Sequence, residues 1–162
     1  MGNLSYPVCI RALYESEIFG EAAFLALVNV AKNPRERYHF ATLLQLETET
    51  KARLRPFLFA HGVSLDEKMD LAGVNQAVEG YTALSWQEFA AANIPVVQDF
   101  LSQFEAIASA GPEEDQTVLR SMIHHETAIL KWLKMESQGT TQGSLADVIA
   151  QLHFPLPAPH DI

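Results

Sequence analysis

At 162 residues the chain has the length of one domain and can bury a full core. Its 48% hydrophobic content excludes wholesale disorder. Acidic residues outnumber basic ones by 20 to 11, and the formal charge of -9 argues against nucleic acid or another polyanion as partner.

From Arg11 to about Lys32 there is no proline, one glycine (Gly20), and an apolar stripe on a helical period that includes Tyr14, Ile18, Phe24, Leu25, Val28 and Ala31. "KNPRE" ends this helix and starts a second, with Asn33 as N-cap and Pro34 in the first turn. The second helix runs to about Ala60, and Pro56 is expected to kink its last turn. Residues 61–84 read as a long mixed connection with room for a short helix. Ser85 then caps a third helix, Glu88 completes a capping box in "SWQE", and Pro95 is expected to bend it. "SAGPEED" ends that helix near Gly111, and a fourth begins with acidic residues and runs to about Gln138. After "GTTQG", residues 144–152 suggest one more short helix before the proline-rich tail "HFPLPAPHDI". Nothing reads as a strand. The expected fold is all-α: residues 1–138 form a four-helix bundle of two hairpins joined by one long crossover, and residues 139–162 are an extension packing on it or trailing from it.

Cys9 is the sole cysteine, which excludes an internal disulfide and a cysteine-based metal cluster and fits a reducing cytoplasm. The N-terminal residues show no basic region followed by an apolar run, and no stretch of about 18 apolar residues occurs. A soluble cytoplasmic protein without membrane contact is expected. The Met-Gly start lacks the acylation pattern, because Tyr6 stands where it needs Ser or Thr.

The buried stripes carry polar residues. With a first turn near position 34, Glu21 lies 13 residues before it and Glu47 13 after it, at the same height. With a second turn near position 112, Gln98 and Glu126 lie 14 residues to either side. All four sit wholly or partly on inward faces by helical spacing. Carboxylates gathered in a low-dielectric interior need compensation, and a divalent cation supplies it. Lys51, beside Glu47, offers another route through a salt bridge. The hairpins also resemble each other: "LLQLETET" superposes on "MIHHETAI", pairing Glu47 with Glu126 and Glu21 with Gln98.

On Glu21, Glu47 and Glu126 and on this architecture, residues 10–138 resemble the ferritin-like di-iron carboxylate superfamily, which includes ferritins, bacterioferritins and rubrerythrins. The resemblance implies one glutamate from each of two helices and Glu-x-x-His from each of the other two. The chain departs from that set at Thr50 and Ile129, where the histidines belong, and at Gln98, where a glutamate belongs. His125 is the nearest substitute nitrogen donor, while His124 points further from the stripe. The expected site is therefore Glu21, Glu47, Gln98, His125 and Glu126. It is an incomplete carboxylate site for iron or manganese, and the resemblance implies oxidoreductase chemistry. Glu17 reads as a spare ligand or, preferably, as a partner of Arg53. The rival expectation is a non-catalytic bundle that has lost its metal and serves as a homodimeric interaction or small-ligand module. A third is an acidic adaptor using the proline-rich tail.

Overall fold

A computed structural model describes residues 5–159, and among them every regular element is helical. The helices are α1 (Tyr6–Val30), α2 (Pro34–Ala60), α3 (Leu71–Ala83), α4 (Trp86–Ala110), α5 (Gln116–Ser137) and the single turn α6 (Ala146–Ile149), with a 3-10 turn at Glu113–Asp115 before α5. No helix among these residues is long and apolar enough to cross a membrane.

The starts and stops follow local chemistry. The Asn33 side chain accepts the Glu36 N–H at 2.9 Å, and Pro34 occupies the first turn, where its missing N–H costs nothing. Ser85 and Glu88 form the expected capping box. The first helix begins at Tyr6 and not Arg11, because Pro7 falls in the first turn, where proline is tolerated. The long connection contains a 13-residue helix, α3, whose N-cap Asp70 accepts the Gly73 N–H at 3.1 Å.

Helix α1 packs along α2, and α4 along α5. The two hairpins meet mainly through α2 and α5; α1 and α4 barely touch, and α3 lies against α1 on that side. The segment after α5 returns to the body of the fold: Leu145 and Val148 are buried beside Trp132 and Leu133. Glu49 of α2 then accepts the backbone N–H groups of His153 and Phe154 at 2.7 and 3.0 Å, holding the start of the tail.

The core among the described residues has two large apolar clusters separated by a polar level, and a smaller third, Ala22, Ala23 and Val74, where α3 meets α1. One large cluster contains Leu27, Phe40, Leu43, Ile129 and Trp132. The other large cluster contains Leu13, Ile18, Leu54, Phe104 and Met122. Between them along α2 and α5 lie Glu47, Thr50, His125 and Glu126, all buried. Another buried acid, Glu136, is fully satisfied: Arg35 donates to it at 2.7 and 2.8 Å, Trp86 Nε1 at 2.6 Å and Ser144 Oγ at 2.5 Å. Burial alone would raise this carboxyl, but those donors hold it below its ordinary value. It is a structural pin joining α2, α4, α5 and the C-terminal segment.

Candidate metal centre

Four polar side chains converge at the level between the clusters: Glu17 from α1, Glu47 from α2, and His125 and Glu126 from α5. Glu17 and His125 are fully buried, and Glu47 and Glu126 are 4% and 5% exposed. The His125 Nε2 atom lies 3.6 Å from Glu17 Oε2 and 3.6 Å from Glu47 Oε1. One ligand atom each from Glu17, His125 and Glu126 fit within 4.8 Å of one another. On its other side the His125 ring is held by Thr50, with Oγ1 and Nδ1 3.1 Å apart.

These groups are poorly satisfied by their neighbours. Both Glu17 oxygens and His125 Nε2 are buried with no hydrogen bond of good geometry, although the Glu17 and Glu47 carboxyls lie close enough to share a proton. A buried, unpaired polar atom is costly, and three at one point are unusual in a folded chain. Burial drives the Glu17 carboxyl well above the ordinary carboxylate range; His125 opposes this, and the nearby Glu47 adds to it. Glu47 rises too, through burial and then through the charge of Glu126. Glu126 is pushed up to about 7 by burial, with His125 opposing and Glu17 adding. Without a cation, burial and mutual repulsion shift these carboxyls toward their protonated forms.

The placement differs from the height arithmetic in two ways. Glu21 is on the rim of the bundle, not at its centre: it accepts from Thr48 Oγ1 at 2.7 Å and from Lys51 Nζ. Gln98 is exposed on α4. Both displacements come from the turns. Helix α1 ends at Val30 and α2 starts at Pro34, so the first turn centres near 32, and the residue level with Glu47 is Glu17. The second turn, between Ala110 and Gln116, centres near 113, which puts Phe100 level with Glu126. Helix α4 thus offers an aromatic ring at this height, with Gln98 turned to solvent.

Lys51 is also accounted for. Its ammonium donates to Glu21 and, at 2.9 Å, to Glu67 on the α2–α3 connection. Glu67 receives further donors from Tyr14 at 2.8 Å and Arg55 at 3.0 Å, and these bonds, that from Lys51 foremost, hold its carboxyl down to about 2. Lys51 therefore neutralises a rim network, and the buried carboxylates gain no such partner from it. Glu17 makes no direct ion pair with Arg53, whose guanidinium reaches Thr50 Oγ1 at 3.4 Å, but the Arg53 charge is near enough to act on the Glu17 carboxyl and lower it in part.

Gly20, the one glycine in α1, belongs to the site. A Cβ there would stand 2.5 Å from Glu47 Oε2, so its absence lets the Glu47 carboxyl lie against the α1 backbone. Glu47 and Glu126 also form the floor of a cavity of about 410 Å³ between α1, α3, α4 and α5.

No protein-family model, curated protein or solved structure matches this chain.

Proposed function

We propose that this chain is a ferritin-like bundle that binds one divalent transition-metal ion, iron or manganese, through Glu17, His125 and Glu126, with Glu47 beside it. The observation that carries this reading is the buried imidazole nitrogen facing two buried glutamates, with His125 Nε2 and both Glu17 oxygens lacking any hydrogen bond of good geometry. Mixed carboxylate and imidazole donors suit iron and manganese. Two helical hairpins with a long crossover support the ferritin-like part of the proposal. One ion is the reading we favour, because the grouping offers a single imidazole and because Thr50, Ile129 and Gln98 stand where a di-iron set would have its two histidines and a further glutamate.

The residues divide the work. Thr50 holds the ring; with the proton on Nδ1, His125 donates to Thr50 Oγ1 and turns the Nε2 lone pair toward Glu17 and Glu47. Glu17 and Glu126 would bind an ion as carboxylates, so any protons they carry would be displaced and affinity would rise with pH. Glu47, resting on Gly20, lies 3.6 Å from His125 Nε2 and lines the adjoining cavity, so it would stand beside an ion held by Glu17, His125 and Glu126. An iron or manganese ion held there would supply the redox capacity of an oxidoreductase.

The test is metal content and thermal stability together. Protein produced with iron and manganese supplied is expected to retain close to one equivalent, and the chelated protein to melt lower and recover on metal addition. His125→Ala and Glu17→Gln should lose that response while remaining helical. Equal metal content in wild type and both variants would end the proposal.

A further inference from the structure

The cavity beside the cluster has a composition that the metal reading does not use. Its walls include Phe19 and Phe24 of α1, Ala77 and Gly80 of α3, Phe100 of α4 and Trp132 of α5. Its volume, about 410 Å³, falls in the range of small-molecule sites, roughly 300 to 1,000 Å³. The only charged groups lining it among the described residues are the floor carboxylates of Glu47 and Glu126; no lysine, arginine or histidine lines it. Gly80 sits inside α3 with open space where a side chain would begin, although alanine would be the better helix former. The space exists because α1 and α4 stand apart and α3 spans the gap without filling it.

We infer that this cavity binds a small apolar amine, its hydrocarbon body against the aromatic walls and its basic nitrogen on Glu47. Anions are disfavoured, since their charge would meet two glutamates and no cation. A neutral alcohol satisfies the floor in part; an ammonium group also compensates its charge, and a charge-assisted hydrogen bond is roughly twice as strong as a neutral one. The inference shares Glu126 and Glu47 with the metal reading and requires no metal.

The probes are octylamine, octanol and sodium octanoate, which have the same chain and different heads. Binding is followed by calorimetry on the chelated full-length protein, and metal content is measured separately on the metal-supplied protein. Octylamine should bind best and octanoate at least about tenfold more weakly, a difference of about 1.4 kcal/mol. Gly80→Phe, which fills the cavity from α3, should weaken octylamine at least about tenfold while the metal content stays at the wild-type value. Ala77→Leu provides a second obstruction should Gly80→Phe fail to fold. Glu47→Gln should leave octanol binding in place and remove the advantage of the amine. Attraction of a cation to an acidic surface is common to all these proteins, so only the differences count. Octanoate binding as tightly as octylamine, or octylamine binding unaltered in folded Gly80→Phe or Ala77→Leu, would overturn the inference. Amine binding as described in a wild-type protein that takes up no metal would sustain it and defeat the metal reading alone.

Discussion

Replacing Glu126 by glutamine should change how the metal-free protein responds to pH. The carboxyl is raised from 4.5 to about 7 by burial, with His125 opposing and Glu17 adding. A group whose folded pKa exceeds its unfolded value favours the fold fully below the unfolded value and loses that contribution as pH rises through the folded one. For Glu126 the window is 4.5 to about 7, and at about 1.36 kcal/mol per pH unit the loss is about 3 kcal/mol. Glutamine has the same shape and does not ionise. In chelator, urea denaturation at pH 5, 6, 7 and 8 should show Glu126→Gln gaining on wild type by nearly that amount across the series. Other groups slope the individual curves: His39, pushed down to about 4 by burial, loses stability as pH falls from its ordinary 6.5. It is present in both proteins, so it cancels in the difference. Glu47 does not cancel completely, because the Glu126 charge helps to raise it; removing that charge shifts the difference further in the same direction. A difference that stays constant from pH 5 to 8, or moves in favour of wild type, would refute the buried, uncompensated carboxylate.

Gly20→Ala should stabilise the isolated α1 helix by about 1 kcal/mol yet weaken metal binding by on the order of tenfold, because the new methyl displaces Glu47; metal titration with a thermal melt separates the two effects. Lys51→Met should cost roughly 1 to 2 kcal/mol in urea denaturation through loss of the Glu21 and Glu67 pairs, with metal content unchanged. A fall in metal content to a trace would instead place Lys51 in the site. Glu136→Ala should cost on the order of 3 kcal/mol, since Arg35, Trp86 and Ser144 lose their shared acceptor; a cost near zero would show that water replaces it.

The all-helical class was legible because the apolar stripes of α1, α2, α4 and α5 repeat on a helical period and their boundaries carry Asn33, Pro34, Ser85 and Glu88. Glu47 and Glu126 were legible as inward residues because their neighbours three and four positions away, Leu43 and Leu44 for Glu47 and Met122, Ile123, Ile129 and Leu130 for Glu126, are apolar. Glu17 was visible but misassigned: moving the first turn centre by two residues, from 34 to 32, changes the residue level with Glu47 by four, about one helical turn, and helix boundaries are uncertain on that scale. A shift of one residue in the second turn, from 112 to 113, exchanged Gln98 for Phe100. The assignment of Lys51 was not legible either, because its acceptor Glu67 lies in the long connection, whose path no periodicity dictates. The cavity depends on the spacing of α1 from α4 and on where α3 crosses, which are properties of packing with no local signal in the sequence.

The most direct measurement is an anomalous difference map from crystals of the metal-supplied protein, recorded at the iron and manganese edges. The account predicts one peak at mid-bundle, about 2.1 Å from His125 Nε2 and bonded to carboxylate oxygens of Glu17 and Glu126. A map with no peak at that point, or with its metal on the Glu21–Lys51–Glu67 rim, would contradict it.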